Sequence, residues 1–334
     1  MKKFGTLCSA ILVMVLWSCK DSGHKERFLP PSTGGVNSLM VVMDTELWQS
    51  DVGDNIREHF AAQVLGLPQA EPIFTIVQLP PKVFKGTTTY SRSVLYVEQD
   101  SSSLAHIKTD AYSKPQKVAV VTGQTHDVLN RNLDSLAPKA IEAFRQMEIS
   151  EAQKRFERSL SKDKALQEEF GISLKVPSLY KVGKRDNKFV WMDIQIPKGT
   201  MNIIAYEMPE NSFSNDSTFI EDIVKMRDSI GKKYVPGPYE NTYMKTEMAF
   251  APYVFPTEIG GNKAAEIRGM WDIHGYPMAG PFLTYIINDE EHNRKMVLEG
   301  FTFAPSTEKR DYMFELEAIL RTVDFNTTDT AAIE

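Results

Sequence analysis

The spacing of hydrophobic residues changes at Gly171, and the change divides the chain into two predicted domains. Before it, short apolar runs alternate with stretches of helical periodicity, which predicts an α/β domain over residues 38–170. After it, apolar runs follow one another with only turn residues between them, which predicts antiparallel strands over residues 171–325. The expected fold class is α+β: two α/β sandwich-type domains with mainly antiparallel sheets flanked by helices.

Two helical regions and four strands are predicted in the first domain. Apolar residues at helical spacing predict a helix over residues 51–65, which Gly66 and Pro68 end. A second helical region covers residues 127–170, and Pro138 is expected to begin a separate segment because proline interrupts backbone hydrogen bonding. The predicted strands are residues 38–44, 73–79, 93–98 and 117–121.

Two amphipathic helices are predicted in the second domain, over residues 217–233 and 308–323. The predicted strands are residues 172–176, 189–196, 201–207, 246–255, 263–273, 282–288 and 295–303. This order of strands and helices is similar to the sheet with flanking helices of the Mog1/PsbP-like superfamily. A shared topology carries no function by itself.

The N-terminus predicts export and attachment to a membrane. An apolar run over residues 4–17 follows two lysines and is shorter than the roughly 20 residues that span a bilayer, as in a signal peptide. Leu16 and Ser18 precede Cys19 in the order found where bacterial lipoproteins are cleaved and acylated. We therefore expect a signal peptide over residues 1–18 and lipidation of Cys19. An ordinary cleaved signal peptide is the alternative.

The residues after Cys19 predict how the protein is held in the cell envelope. Residues 19–37 are polar and rich in serine, glycine and proline, which is typical of a flexible tether. Lys20 follows the lipidated cysteine, and in enteric bacteria a residue other than aspartate at this position favours the outer membrane. We expect a lipid-anchored protein of the outer membrane, held by acyl chains such as palmitate. Residues 326–334 are predicted to be a disordered tail.

Composition and motifs give little indication of chemistry. The formal net charge of −6 offers no basic footprint for nucleic acid. The chain contains no H-E-x-x-H and no G-x-S-x-G sequence, and its single glycine at the end of the 117–121 strand does not make a phosphate loop. The acidic stretch ending at His292 is typical of a charged hairpin turn. We therefore expect no cofactor, no metal site and no catalytic residues.

One segment, residues 271–282, concentrates aromatic side chains, a histidine, glycines and prolines. Ordered loops with such residues often form binding surfaces. The candidate binding residues are Trp271, His274 and Tyr276, together with Trp48 just after the first predicted strand. For each of them, packing in the core is the alternative.

Several short sequences resemble an uncharacterised family of lipoproteins from Bacteroidota cell envelopes, a domain-of-unknown-function family. They are Phe28-Leu29-Pro30, Leu67-Pro68-Gln69-Ala70-Glu71-Pro72, Gly269-Met270-Trp271 and Leu298-Glu299-Gly300-Phe301-Thr302-Phe303-Ala304-Pro305. The resemblance implies a compartment and a fold. It assigns no activity and no site residues.

These observations favour a non-enzymatic envelope lipoprotein that binds another envelope protein or a small ligand. The alternative is a hydrolase of an envelope polymer such as a glycan. That alternative predicts a cleft beside Trp271 with two carboxylates roughly 5 to 9 Å apart, or with His274 acting as acid or base.

Overall fold

The chain folds into two α+β domains, each built on one sheet. The computed structural model describes residues 28–213 and 218–325. The first domain contains β1 (Ser38–Val42), α1 (Thr45–Trp48), α2 (Asp51–Phe60), β2 (Thr75–Leu79), β3 (Ser93–Gln99), β4 (Leu104–Thr109), β5 (Lys117–Gly123) and α3 (His126–Phe156). The second contains α4 (Ala165–Phe170), β6 (Lys181–Asp186), β7 (Phe189–Ile196), β8 (Gly199–Pro209), α5 (Phe219–Tyr234), β9 (Tyr243–Thr246), β10 (Tyr253–Ile259), β11 (Asn262–His274), β12 (Tyr276–Asp289), β13 (Arg294–Phe303) and α6 (Arg310–Leu320). The predicted α+β class is confirmed.

The sheet of the first domain is mainly parallel, with the order β2-β1-β3-β5-β4. β1 pairs in parallel with β2 and β3, and β3 with β5, while β4 alone is antiparallel. The expectation of mainly antiparallel sheets is therefore wrong for this domain. Parallel neighbours need a connection that returns the chain to the same end of the sheet, and α2 supplies it between β1 and β2. Helices α2 and α3 share one buried core with the inward side chains of β1, β3 and β5.

Helix α3 runs without interruption past the break that was predicted at Pro138. A proline inside a helix removes one N–H donor and leaves the carbonyl one turn earlier without its usual partner. Pro138 lies on the exposed side of α3, where water can bind that carbonyl. The predicted helix over residues 51–65 ends earlier than expected, at Phe60.

The sheet of the second domain has eight antiparallel strands, with β9 paired to β11 beside the path β10-β11-β12-β13-β8-β7-β6. Helix α5 packs on one face, and helices α4 and α6 pack on the other. The predicted strand over residues 172–176 is wrong, since this segment makes only one bridge, between Ser173 and Asp324. Its apolar run reflects burial of Ile172 and Val176 against the core rather than strand pairing.

Residues 30–35, which were predicted to belong to the flexible tether, are hydrogen bonded to the first domain. The Ser32 amide donates to the Lys114 carbonyl at 3.2 Å, and the Thr33 amide donates to the Tyr90 carbonyl at 2.8 Å. The Arg92 guanidinium also donates to the Gly34 carbonyl. This part of the predicted tether is therefore fixed by backbone contacts to the segments that precede β3 and β5.

Three of the predicted segments lie outside the described residues: the signal peptide with Cys19, the first part of the tether and the tail over residues 326–334. Within the part of the chain that the structure describes, no helix combines the length and the apolar composition needed to cross a bilayer.

The two domains meet through buried polar contacts. The Glu71 carboxylate, from the loop before β2, accepts hydrogen bonds from the Lys309 amide at 2.8 Å and the Arg310 amide at 2.7 Å. These amides lie at the start of α6, where no side chain of α6 itself caps the helix. Because the first turn of a helix leaves its N–H groups unpaired, the first domain caps a helix of the second.

Candidate functional site

Helix α5 covers only part of its face of the second sheet. It has 16 residues, which corresponds to about 24 Å of helix. Strand β12 beneath it has 14 residues, which corresponds to about 46 Å of strand. Beyond the end of α5, the connecting segment 235–238 leads towards β9, and this segment and the uncovered strands line a cavity.

This aromatic cavity has a volume of about 250 Å³. It is lined by Trp191, Thr200, Asn202, Val235, Pro236, Gly237, Pro238, Met244, Trp271, Ile273, Met278, Phe301 and Phe303. An apolar cavity of about 150 Å³ already holds a benzene molecule. The aromatic cavity is therefore large enough for a small organic ligand, and its predominantly apolar lining is typical of such sites.

One buried polar group on a residue that lines the aromatic cavity has no hydrogen-bond partner in the described part of the chain. The Trp191 indole N–H donates to the Asn202 Oδ1 atom at 3.1 Å, and the Asn202 amide donates to the Thr200 hydroxyl at 3.1 Å. The Trp271 indole N–H is buried and meets no acceptor among the described residues. A buried donor that lacks an acceptor costs about 1–3 kcal/mol, so an acceptor on a ligand would recover part of this energy.

The position of Trp271 is fixed by a glycine on the neighbouring strand. Trp271 lies directly opposite Gly280 in the pairing of β11 with β12. A Cβ atom on Gly280 would lie 3.0 Å from the indole and 2.1 Å from the Thr302 carbonyl oxygen, so no side chain fits there. The Phe301 ring meets the indole edge to face, with centroids 5.8 Å apart. The indole is therefore closely packed between Gly280 and Phe301.

The structure places the predicted segment 271–282 in a strand hairpin rather than in a loop. Strands β11 and β12 turn at Gly275, which has a φ of 77°. Trp271 is only 1% exposed, so it does not belong to an open surface. Any binding role for Trp271 therefore depends on the aromatic cavity.

His274 and Tyr276 lie near the hairpin turn, outside the aromatic cavity. The His274 ring stacks on Tyr243 with centroids 5.0 Å apart. The Tyr276 ring meets Tyr239 edge to face at 5.4 Å. Both residues remain accessible from solvent, and His274 is the more exposed of the two.

Trp48 is not brought together with the other three candidates. It packs against the core of the first domain, beside helices α2 and α3. The Arg57 guanidinium lies 4.4 Å from its ring centroid and also donates to its carbonyl oxygen. These contacts give Trp48 a role in packing and in cation–π attraction.

Sequence reasoning did not single out Trp191, Asn202 or Phe301 as site residues. Each lies in a strand whose pattern predicts only a buried face, and their convergence depends on pairing between distant strands. The Pro236-Gly237-Pro238 sequence directly after a predicted helix was the available signal. Two prolines around a glycine indicate an ordered connection that leaves the helix abruptly.

The acidic stretch ending at His292 is a hairpin turn between β12 and β13, as expected. Asp289 accepts hydrogen bonds from His292 at 2.8 Å and from Arg294 at 2.7 Å. Burial opposes ionisation of Asp289, but these two hydrogen bonds outweigh it and lower its pKa. Across residues 28–213 and 218–325, no three histidine, cysteine or acidic side chains are grouped closely enough to hold a metal ion.

The lining of the aromatic cavity includes no acidic side chain among the described residues. The nearby Asp272 carboxylate forms an ion pair with Lys245 at 3.0 Å. The pair of carboxylates that a glycan hydrolase would need beside Trp271 is therefore not found in this lining.

Fold and site together define a two-domain α+β protein with a cavity of ligand size in its second domain. Residues 159–322 match the family described as Domain of unknown function (DUF4837), and residues 32–157 match Domain of unknown function (DUF8532). The two matches support membership of an uncharacterised family. No curated protein matches the chain.

The change from one family match to the other falls between residues 157 and 159, earlier than the domain boundary predicted at residue 170. Residues 165, 166 and 170 of α4 also pack in the core of the second domain. Helix α3 ends at this change, and its last turns contact both cores.

Proposed function

We propose that this protein is a non-enzymatic lipoprotein of the cell envelope that binds a small, largely apolar ligand in the aromatic cavity. The unpartnered indole N–H of Trp271 carries this proposal, because it is a buried donor on a residue that lines a cavity a ligand could fill. The ligand would combine an apolar body with a hydrogen-bond acceptor. The apolar body would be stabilised by roughly 25 cal/mol for each Å² of surface removed from water.

A matched pair of probes tests the cavity. Acetophenone carries one carbonyl acceptor on an apolar ring, and ethylbenzene has nearly the same shape without the acceptor. One hydrogen bond contributes about 1 kcal/mol, so we expect acetophenone to bind the wild-type protein about fivefold more tightly in calorimetry.

The substitution Trp271→Phe removes the N–H donor and keeps an aromatic ring, so it should abolish the preference for acetophenone. Trp48→Phe is the control, because Trp48 lies in the other domain, and it should leave the preference unchanged. Equal affinity of the wild-type protein for both probes, or no binding of either, would contradict a ligand site at Trp271.

The attachment to the membrane is tested separately. Labelling of growing cells with an alkyne analogue of palmitate should modify the full-length protein and its Cys8→Ser variant, since Cys8 lies within the expected signal peptide. The Cys19→Ser variant should take up no label and should be released from the membrane fraction. Labelling of the Cys19→Ser variant, or of none of the three, would contradict lipidation at Cys19.

A further inference from the structure

A second concave site lies on the other side of the β9–β11 pair. It has a volume of about 590 Å³. It is lined by Lys184, Lys232, Lys233, Pro236, Asn241, Thr242, Tyr243 and His274. We refer to these residues as the lysine cleft. Pro236 lines both the lysine cleft and the aromatic cavity. Otherwise β9 and β11 separate the two sites, because successive side chains of a strand point to opposite faces. Met244 and Ile273 line the aromatic cavity, and their neighbours Tyr243 and His274 line the lysine cleft.

The three ammonium groups of the lysine cleft are not neutralised by ion pairs. Lys184 comes from β6, and Lys232 and Lys233 come from the last turn of α5. None of the three forms an ion pair with a carboxylate in the described residues, whereas Lys245 pairs with Asp272 close by. This local excess of positive charge occurs in a chain whose formal net charge is −6.

The C-terminus of α5 neutralises only part of this positive charge. A helix C-terminus carries about half a negative charge, which cations stabilise. The Lys184 ammonium donates to the Tyr234 carbonyl at 3.1 Å, and the Tyr234 side chain raises the pKa of Lys233. Three ammonium groups against about half a negative charge leave about 2.5 positive charges, and the Asp186 carboxylate, which also acts on Lys233, offsets part of this surplus.

The rest of the lysine cleft adds polar and aromatic groups to this surplus. The stacked rings of Tyr243 and His274 form one wall, and the Lys232 ammonium lies 5.5 Å from the Tyr243 centroid. Asn241 adds a side-chain amide that can donate hydrogen bonds, whereas the Thr242 hydroxyl already donates to the Tyr239 carbonyl at 2.6 Å. An anion with several acceptor oxygens could therefore meet donors from more than one direction.

We propose that the lysine cleft binds a phosphate monoester group. Such a group carries about −1.5 to −2 charges at neutral pH and three acceptor oxygens, which matches the surplus charge and the several donors. A carboxylate supplies only one charge and would leave part of the surplus unpaired. This site is independent of the aromatic cavity, so either site can fail without the other. The phosphate could belong to a soluble metabolite or to a lipid headgroup.

Glycerol 3-phosphate and glycerol are the matched probes, titrated into the full-length protein in nonionic detergent at low salt. We expect saturable binding of glycerol 3-phosphate, with chemical-shift changes at His274, and no binding of glycerol. Lys232→Gln should weaken the affinity about fivefold, the effect of losing one exposed charge contact of about 1 kcal/mol. Lys225→Gln is the control, because Lys225 lies on the same helix but pairs with Glu221.

The Lys225→Gln control distinguishes a defined binding site from general attraction of anions to positive charge. If this substitution changes the affinity for glycerol 3-phosphate by less than about twofold, the result supports the lysine cleft, because exposed ion pairs contribute little. Lys233→Gln provides a second variant that should also weaken binding. No saturable binding, or equal losses in the Lys225 and Lys232 variants, would overturn the proposal.

Detergent micelles that contain phosphatidic acid, a lipid with a phosphate monoester headgroup, distinguish the two sources of phosphate. Displacement of glycerol 3-phosphate by these micelles, but not by micelles with neutral lipid, would assign the cleft to a lipid headgroup. Binding of glycerol 3-phosphate that these micelles do not reduce would assign it to a soluble phosphate ester. Both results support the phosphate site.

Discussion

Glu317 is a buried residue on which both domains depend. It is 2% exposed and accepts hydrogen bonds from Arg145 at 2.9 Å and Arg268 at 2.7 Å. Arg145 belongs to α3 of the first domain, and Arg268 belongs to β11 of the second. Arg321 lies 3.3 Å away as a third cation. Burial alone would raise the pKa of Glu317, but the three arginines, Arg268 most strongly, hold it well below its ordinary value.

The substitution Glu317→Gln should lower the free energy of unfolding by about 3–5 kcal/mol, because it removes one buried negative charge from three arginines and leaves Arg268 and Arg321 to share Glu266. Chemical denaturation measures this change. Glu221→Gln is the control, since Glu221 is exposed and pairs with the exposed Lys225, and it should change the unfolding free energy by less than about 0.5 kcal/mol. Similar effects of the two substitutions would contradict the role of Glu317.

The same carboxylate predicts a dependence of stability on pH. A carboxyl whose pKa is lower in the folded state contributes stability above its unfolded value of about 4.3, and the contribution is lost as the pH falls towards the folded value. The unfolding free energy of the wild-type protein should therefore fall as the pH drops below about 4.3. The Glu317→Gln variant should lack this part of the fall. An equal dependence of the unfolding free energy on pH in the two proteins would contradict the role of Glu317.

At the residue scale, the sequence could identify Trp271 as a candidate but could not give its surroundings. Its place in an aromatic and glycine-rich segment was visible. Its burial depends on Gly280 across the strand pair, and the role of Glu317 depends on an arginine from another domain. Such contacts join residues far apart in sequence, and hydrophobic periodicity carries no information about them.

At the scale of elements, helix α5 and strand β9 approach each other unusually closely at Gly231. A Cβ atom on Gly231 would lie 2.1 Å from the Met244 carbonyl oxygen, which belongs to the backbone and cannot easily move. Met244 also lines the aromatic cavity. The contact between α5 and β9 therefore helps to set the shape of the cavity.

The substitution Gly231→Ala should lower the unfolding free energy by about 1–3 kcal/mol, since overpacking against backbone outweighs the gain in helix propensity of about 1 kcal/mol. Thermal and chemical denaturation measure the change. Ser229→Ala on the exposed side of α5 adds an alanine without this contact and should be neutral or slightly stabilising. A stabilised Gly231→Ala variant would show that β9 yields to the added methyl group.

Elements with a strong periodic pattern were predicted well, and elements defined by their neighbours were not. The core strands β3, β5, β7, β11 and β13 have apolar runs that match their observed bounds closely. Strand β4 was missed because its edge position leaves most of its residues exposed and removes the apolar signal. Residues 172–176 gave the opposite error, since a buried irregular segment has the same apolar run as a strand.

At the scale of the whole molecule, the Glu71 cap couples the stability of the two domains. Because this carboxylate pairs with the first amides of α6, unfolding of the first domain would leave α6 without its cap. The hydrogen bond from Arg145 to Glu317 also couples the two domains, because it joins α3 of the first domain to α6 of the second. We therefore expect both domains to unfold in one cooperative transition in calorimetry.

The substitution Glu71→Ala should lower the unfolding free energy by about 1–2 kcal/mol, the usual effect of losing a helix cap, and should broaden or split the transition. Glu58→Ala, at an exposed position of α2, should leave the transition unchanged. Two separate transitions in the wild-type protein would show that the domains are not coupled in this way.

The presence of two domains and their α+β class could be predicted from the change in the spacing of hydrophobic residues at Gly171. The parallel order of the first sheet and the interface between the domains could not, because both depend on which elements become neighbours. The predicted tether extended too far for a related reason. Its composition is that of a linker, yet its last residues pair with the backbone at Tyr90 and Lys114.

The most direct test of a ligand site in the aromatic cavity is the indole N–H resonance of Trp271 in the ¹⁵N-labelled protein, assigned with the Trp271→Phe variant. During a titration with acetophenone, we predict a saturable downfield shift of this resonance, because the N–H acquires an acceptor, while the Trp48 resonance stays in place. With ethylbenzene, the downfield shift should be absent. A Trp271 resonance that does not move with acetophenone, or that moves equally with both probes, would contradict a ligand site at Trp271.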